Sequence, residues 1–507
     1  MRAACHAGRA PSHRVTHRTA EKLRAAPIYV GDMVDVVVVG AGVGGLGSAL
    51  ALARAGHRVT VMERDSLSMP PTPQAAFDDW SRRGAPQTRH SHAFLARLRN
   101  LLRDRAPEVL AALHEAGATE VDFTRNPPPA LHPLTPEPGD SDLVGLACRR
   151  TTFEWVLRRS VLSMPGVTLV QGSVEGLIAE RGSGGIPRIT GVGLADGTAV
   201  TADLVVDAGG RRSPSPAWLS AIGAAPVTES IEDTGIVYSS RFYRTLDPAD
   251  DPAGHGLVVG DLGYLKYAVF PGDNGTLSIT YGVHADDVEM RRVLRAGPFT
   301  EVAANLPALR RWVEPGRCTP ISDVEVMAGL VNRLRRFVVG GLPVATGIYA
   351  VGDSSVCTNP VYGRGCSLAM VHAELLTDTL AAQGNDDVAA VLAFAEATRT
   401  TIEPWYGAAL AQDRHDRHRE AGPDDDATVD VGSIIRHGLL PAAGLDPAVF
   451  RAFMRMFNLL DLPEALLVDP RVLPGVMAAW NDRANRPPPP RLGPDRGELL
   501  QLLAGAA

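Results

Sequence analysis

Residues 36–47 have the sequence VVVVGAGVGGLG, four valines followed by a turn rich in glycine. Consecutive valines are typical of a parallel strand that is buried on both faces of a sheet. The uncharged run from Val36 to Ala53 is as long as the shortest membrane-spanning helices, but its five glycines would weaken such a helix. The stretch therefore predicts a strand, a turn and a helix. With a second strand at Arg58–Glu63, it predicts a βαβ unit over Met33–Asp65.

The glycines of this turn have the spacing Gly40-x-Gly42-x-x-Gly45. Gly40 allows a tight turn, Gly42 lets the backbone approach a pyrophosphate, and Gly45 lets the helix pack closely on the sheet. Free N–H groups and the helix dipole favour phosphates at the start of the helix. Glu63 ends the second strand, where we expect its carboxylate to bind ribose hydroxyls at the solvent-facing end of the site, with Arg64 as a neighbouring contact. The pattern predicts a dinucleotide-binding site.

A second glycine-rich segment indicates which dinucleotide binds. Gly352-Asp353 follow a buried apolar run, and Pro360 and Gly363-x-Gly365 precede a predicted helix. An aspartate at the end of a strand can bind a ribityl hydroxyl. The start of the helix can stabilise the negative charge that a reduced flavin gathers at its pyrimidine edge. Together with the first glycine turn, this segment predicts FAD rather than NAD.

Several segments together resemble the FAD-dependent monooxygenases of the para-hydroxybenzoate hydroxylase fold, and the resemblance covers most of Met33–Leu380. The segments are Gly40–Glu63, Arg150–Glu154 (RTTFE), Asp207–Ser213 and Gly352–Gly365. Two further segments, Gly84–His92 and Asn359–Gly363, are most similar to the squalene-epoxidase-like branch, which includes bacterial polyether epoxidases.

The resemblance implies an activity and a set of contacts. Arg150 would contact the FAD phosphate or ribityl region, Asp353 the ribityl chain, and Pro360–Gly365 the flavin ring. Reduced FAD would react with dioxygen to give a C4a-hydroperoxyflavin, which transfers oxygen to an apolar alkene or aromatic secondary metabolite. The expected enzyme is an epoxidase or a hydroxylase, and the flavin rather than a catalytic triad carries its chemistry.

The source of electrons is left open by one departure from the family pattern. Many aromatic hydroxylases of this fold have an Asp-Gly pair, tied to FAD and nicotinamide binding, where this chain has Gly209-Gly210. NAD(P)H is therefore one candidate reductant, and a separate flavin reductase is the other. We expect Asp207, two residues earlier, only to end its strand.

Some reactive side chains near these motifs have alternative interpretations. His90 and His92 could act as an acid or base or hold flavin covalently, although at most one should face the ring, and the plainer reading is a pair of hydrogen-bonded loop histidines. We expect Cys357 and Cys366 to be packing residues. Lys266 could contact a substrate or cofactor phosphate, or be an ordinary exposed lysine of a strand.

Composition excludes several classes of protein. The 507 residues carry a net charge of −7, which leaves no overall basicity for binding nucleic acid. Five scattered cysteines without a CxxC pair predict neither a disulfide framework nor a metal site. Only two of the 50 basic residues are lysine, a bias typical of GC-rich bacterial genomes. We expect the apolar face of Phe450–Leu462 to pack on the protein itself rather than on a membrane. The expected location is the cytoplasm.

The predicted fold class is α/β: a Rossmann-like FAD-binding domain with an inserted antiparallel-sheet substrate domain and a helical C-terminal region. The chain is too long for a single core. The predicted units are a disordered basic arm (1–32), the first part of the FAD-binding domain (33–234), the substrate domain (235–340), the return to the FAD-binding domain (341–385) and the helical region (386–507).

Two alternative functions belong to other classes. One is a flavin-dependent reductase of isoprenoid double bonds, which shares the fold, and the other is a non-catalytic lipid-binding protein that keeps the dinucleotide fold. A flavin halogenase is disfavoured, because that family relies on a lysine near the ring and a WxWxIP segment, and no two tryptophans of this chain are two residues apart.

Overall fold

The computed structural model describes residues 33–384, 387–421, 431–487 and 491–505, so the predicted basic arm lies outside the described residues. The described strands are β1 (Asp35–Val39), β2 (Arg58–Glu63), β3 (Thr119–Asp122), β4 (Val144–Ala147), β5 (Val167–Gln171), β6 (Val174–Arg181), β7 (Pro187–Leu194), β8 (Ala199–Thr201), β9 (Leu204–Asp207), β10 (Thr228–Asp233), β11 (Ile236–Thr245), β12 (Val258–Asp261), β13 (Lys266–Pro271), β14 (Thr276–His284), β15 (Cys318–Pro320), β16 (Glu325–Met327), β17 (Val331–Arg336), β18 (Val338–Val339), β19 (Leu342–Pro343), β20 (Ile348–Ala350) and β21 (Val356–Cys357).

The described α-helices are α1 (Val43–Arg54), α2 (Pro73–Asp79), α3 (Ala96–Arg105), α4 (Pro107–Glu115), α5 (Arg150–Leu162), α6 (Ser215–Ala221), α7 (Ala296–Asn305), α8 (Gly365–Gln383), α9 (Asp387–Thr401), α10 (Glu403–Ala421), α11 (Val431–Ile434), α12 (Leu440–Ala443), α13 (Pro447–Phe457), α14 (Leu473–Asn481) and α15 (Arg496–Gly505). Short 3₁₀ turns and one π-helical turn connect some of them.

A five-stranded parallel sheet in the order β20-β9-β1-β2-β5 forms the centre of the fold. Its valine-rich strand β1 is buried on both faces, as predicted. Val36 and Val38 pack in the same core as helices α1, α5 and α8, whereas Val37 packs on the other face against the three-stranded sheet β6-β7-β8. The predicted Rossmann-like α/β core is confirmed.

A second, antiparallel sheet faces the carboxyl ends of the parallel strands. It has the order β12-β13-β14-β11-β15, and β16 also pairs with β11. Its core contains the buried side chains of Phe299 from α7, Trp312, and Leu499 from α15. The predicted antiparallel unit is confirmed, whereas the residue bounds proposed for each domain stay a prediction.

The segment Ile321–Val326, whose β-branched residues favour a strand, does not form one continuous strand. β15 and β16 flank this segment, and between them the Phe242 N–H donates to the Ser322 hydroxyl at 2.9 Å instead of to a backbone carbonyl. A side chain thus takes one place in the ladder and divides the strand. Within Val288–Val313 only α7 is α-helical, and Pro307 follows its end.

The C-terminal helices pack against the rest of the chain. Phe450 and Met454 of α13 are buried against Leu131 and Leu143, which confirms that the apolar face around Phe450–Leu462 covers the protein's own core. In the part of the chain that the structure describes, none of the helices has both the length and the apolar character needed to cross a bilayer.

Candidate functional site

One cavity of about 980 Å³ lies between the carboxyl ends of the parallel strands and the antiparallel sheet. Ten of the eleven predicted cofactor residues line it: Gly40, Gly42, Glu63, Arg64, Arg150, Gly352, Asp353, Pro360, Gly363 and Gly365. Gly45 does not line the cavity. The fold therefore gathers residues from distant parts of the chain into one site, and their contact with FAD stays a prediction.

The first glycine turn has three positions with different steric needs. Gly40 has a φ of +99°, and a Cβ there would lie 2.7 Å from the Ala208 carbonyl oxygen. A Cβ on Gly45 would lie 1.8 Å from the Gly40 carbonyl oxygen, so Gly45 allows the helix to pack on the turn. A Cβ on Gly42 would meet no protein atom within 4 Å. The open space at Gly42 lies at the start of α1, where a phosphate would be favoured.

Glu63 is buried, not solvent-facing as expected, with only 5% of its surface exposed. Its Oε2 atom accepts hydrogen bonds from the Ala41 N–H at 3.2 Å and from Arg82 at 3.3 Å, and Oε1 accepts from the Asp65 N–H at 3.0 Å. The carboxylate therefore fixes the glycine turn in addition to any ribose contact.

Buried charges of alternating sign run from Glu63 along the cavity wall. Arg82 donates to Glu154 at 2.9 Å, and Arg150 donates to the other oxygen of Glu154 at 2.5 Å and to the Cys366 sulfur at 2.8 Å. Burial would lower the pKa of Arg150, but Cys366 and Glu154 outweigh burial and raise it, so Arg150 stays cationic. Burial raises the pKa of the Cys366 thiol to about 11, so Cys366 stays neutral, consistent with its expected packing role.

Asp353 provides a further carboxyl group in the cavity wall. Burial raises its pKa, and the neighbouring Arg150 and Arg211 oppose that rise. The preceding residue is held by His372, because the Gly352 N–H donates to His372 Nδ1 at 3.1 Å. The other ring nitrogen, Nε2, lies 2.9 Å from the Thr398 hydroxyl, which itself donates to the Phe394 carbonyl. These contacts fix a neutral imidazole with its proton on Nε2.

His372 should make the stability of the protein depend on pH. Burial lowers its pKa to about 3, so the folded state binds fewer protons than the unfolded state below the ordinary histidine pKa of about 6.5. The contribution of neutral His372 to the free energy of unfolding is complete above pH 6.5 and is lost as the pH falls towards 3. At pH 5 we expect a loss of about 2 kcal/mol relative to pH 7.

The measurement is urea unfolding of the FAD-loaded protein at pH 7 and pH 5, with His372→Gln for comparison. The variant should lose less stability between the two pH values than the wild type. Equal losses in both proteins would contradict the assignment.

Asp207 holds the Gly209-Gly210 loop. It accepts hydrogen bonds from the Gly209 N–H at 3.0 Å and from the hydroxyls of Ser213 and Ser354 at 2.7 and 3.2 Å. These three hydrogen bonds compensate for burying the Asp207 carboxylate at the end of β9. They agree with the structural role that we expected for Asp207.

The two histidines of the Gly84–His92 segment differ in position. His90 is buried edge-on against Tyr238, with 5.0 Å between ring centroids, and burial lowers its pKa to about 4. His92 lines the cavity, and burial and Arg150 lower its pKa as well. Only one of the two faces the cavity, as expected, and the geometry favours a neutral His92. A catalytic or covalent role stays a prediction.

Apolar side chains form much of the cavity wall. They include Val121, Phe123, Val259, Ile435, Leu440 and Phe457. Lys266 also lines the cavity, so the expectation of an ordinary exposed lysine is wrong: its side chain is 25% exposed and lies 2.6 Å from an Asp416 carboxylate oxygen.

The site fits FAD on these observations. Open space at Gly42 and the start of α1 suit the pyrophosphate, Asp353 suits the ribityl chain, and open space at Gly365 leaves the start of α8 accessible to the ring. Sequence reasoning missed the supporting side chains Arg82 and His372, because each acts through a contact distant in sequence.

Comparisons with known proteins support FAD as the cofactor. A family model described as FAD dependent oxidoreductase matches residues 35–126. Protein Rv3254 of Mycobacterium tuberculosis is 30% identical over 460 residues, which cover 85% of this chain and 91% of that protein. Squalene monooxygenase 1,1 of Brassica napus is 32% identical over 152 residues, which are 29% of this chain and 26% of that enzyme.

Solved structures share the fold at low sequence identity. The flavin-dependent brominase Bmp2 has a TM-score of 0.60 and 14% identity, covering 89% of this chain and all of that one. The p-nitrophenol 4-monooxygenase PnpA of Pseudomonas putida has a TM-score of 0.56 and 19% identity, covering 85% of this chain and 99% of that one. The resemblance to FAD-dependent enzymes of this fold is confirmed, whereas the squalene-epoxidase-like branch stays a prediction.

Proposed function

Because this chain is an FAD-dependent oxidoreductase and belongs to the same family as Protein Rv3254 of Mycobacterium tuberculosis, we propose that it is a monooxygenase. It inserts one oxygen atom of dioxygen into an apolar alkene or aromatic secondary metabolite, as an epoxidase or a hydroxylase. The partial similarity to squalene monooxygenase supports this proposal.

The observation that carries the proposal is the continuity of a single cavity. The residues that suit FAD line the same cavity as apolar side chains such as Phe123, Ile435 and Phe457. Bound FAD would supply the oxygen activation implied by the resemblance. The chain's part is to orient the ring through Asp353 and the start of α8, to exclude water, and to hold an apolar substrate beside the ring.

The apolar part of the cavity wall also bears on the other candidate functions. A reductase of isoprenoid double bonds would use the same cavity, and only the need for dioxygen separates the two. For a halogenase, the likeness to a brominase supports the fold alone, and the ammonium of Lys266 is engaged by Asp416. The FAD-dependent family weighs against the non-catalytic lipid-binding alternative.

The test is to reduce the purified enzyme with dithionite under nitrogen and add ¹⁸O-labelled dioxygen with candidate polyenes or aromatics. We expect one labelled oxygen atom in the product with a suitable substrate, and hydrogen peroxide without one, because the reaction needs a dry, filled pocket. An alkene that is instead saturated under nitrogen would replace the monooxygenase proposal with the reductase.

The same purified enzyme can be used to identify the reductant of the flavin. Since Gly209-Gly210 leaves no acidic side chain in that loop, we propose that NADPH alone bleaches the flavin slowly and that a separate flavin reductase supports faster turnover. Rapid bleaching by NADPH would contradict this part of the proposal.

A further inference from the structure

A buried carboxylate of helix α10 is bonded to the loop that precedes α8. Asp413 is 3% exposed. Its Oδ1 atom accepts hydrogen bonds from the Tyr362 hydroxyl at 2.5 Å and the Asn359 side chain at 2.9 Å, and its Oδ2 atom accepts from the Asn332 side chain at 2.6 Å. Asn359 and Tyr362 flank Pro360, one of the predicted flavin contacts.

The two amide side chains have a fixed orientation. The Asn332 side-chain oxygen accepts from the Asn359 backbone N–H at 2.7 Å, and the Asn359 side-chain oxygen accepts from the Val361 backbone N–H at 3.1 Å. Each amide must therefore point its NH₂ group at Asp413. Three donors converge on this side chain, and only a group that accepts through both oxygens satisfies all of them.

Hydrogen bonds rather than an ion pair hold this carboxylate. Among the described residues, no arginine or lysine forms a salt bridge with Asp413. The nearby Arg364 guanidinium instead stacks between the rings of Tyr362 and Trp405, 4.9 and 5.2 Å from their centroids. Burying an unpaired carboxylate is costly, so the three donors must compensate for it. The three hydrogen bonds therefore keep the Asp413 carboxylate buried beside the Asn359–Gly363 loop.

We propose that Asp413 is a positioning residue that holds the Asn359–Gly363 loop in its FAD-binding conformation. Helix α10, which lies outside the dinucleotide fold, is then part of the cofactor site. The proposal needs FAD binding but not oxygen transfer, so it can stand or fail independently of the proposed activity.

The test is Asp413→Asn, which keeps the size of the side chain but turns one acceptor into a donor that faces other donors. We expect the Kd of FAD, measured by flavin fluorescence, to rise about tenfold or more, because at least one buried donor loses its acceptor. The visible circular dichroism of the bound flavin should also change, because a displaced loop alters the surroundings of the ring. Wild-type Kd and wild-type visible dichroism in this variant would overturn the proposal.

The matched control is Glu374→Gln, a buried carboxyl on α8 that is 8% exposed and faces Arg105 instead of the cavity. Its Kd for FAD should stay within about twofold of the wild type. If Asp413→Asn does not fold, Tyr362→Phe decides, since it removes only one of the three hydrogen bonds. We expect a rise of about threefold in Kd with altered visible dichroism, and no change in either would overturn the proposal.

Discussion

Replacing Gly42 with valine is expected to abolish most FAD binding while the protein remains folded. Gly42 has φ −82° and ψ −173°, a conformation that other residues adopt without strain, and a Cβ there would meet no protein atom within 4 Å. The added side chain would occupy the space at the start of α1 that the pyrophosphate needs. We expect a loss of affinity of about a hundredfold or more, equivalent to about 3 kcal/mol.

The measurement is the FAD content after purification and the Kd of FAD from fluorescence titration, together with the thermal unfolding midpoint without FAD. Gly45→Ala is an informative comparison, because its Cβ would lie 1.8 Å from the Gly40 carbonyl oxygen and should disrupt the turn itself. A Gly42→Val protein that binds FAD with wild-type affinity would refute the pyrophosphate assignment.

Removing the carboxylate of Asp273 is expected to lower the free energy of unfolding more than any other substitution proposed for this protein. Asp273 lies in the hairpin between β13 and β14 and accepts hydrogen bonds from the backbone N–H of Arg149 at 2.7 Å and from its guanidinium at 2.6 Å. The side chains are 0% and 1% exposed. Asp273→Ala would leave a buried guanidinium without its partner, which typically costs about 3–5 kcal/mol.

Urea unfolding at pH 7 would measure this effect. A double variant, Arg149→Met with Asp273→Leu, is the control, and it should recover much of the lost stability because it removes both charges. Burial would raise the pKa of Asp273, but the hydrogen bonds from Arg149 outweigh it and hold the pKa low, so this contribution should disappear only in acid. A single variant as stable as the wild type would contradict the role of this pair.

The first βαβ unit could be predicted from sequence because its signals are local. Four valines, the glycine spacing and a strand ending at Glu63 lie within about thirty residues, and neighbouring residues decide their structure. The same sequence could not show that Glu63 is buried, since that depends on Arg82. Arg82 lies in an arginine pair within a polar stretch, which is typical of a solvated surface.

The supporting side chains were hidden for the same reason. Asp413 lies in the charged stretch QDRHDRHRE of α10 and looks like part of an exposed helix face. Its partners Asn332 and Asn359 are 81 and 54 residues away in sequence. Ser322 was equally hard to predict. Its side-chain hydroxyl replaces a backbone carbonyl in the strand ladder, and such a replacement leaves no alternating pattern in the sequence. Such contacts depend on tertiary packing rather than on local periodicity.

The parallel sheet has a consequence for synthesis of the protein on the ribosome. Its central strand β1 is translated early, but the edge strand β20, the Asn359–Gly363 loop and the helix that carries Asp413 are translated much later. Domains fold as their residues become available, so the glycine turn must wait for the later-made part of its own site. Nascent chains should therefore capture FAD only once α10 has left the exit tunnel, which makes cofactor loading a marker of translation beyond this helix.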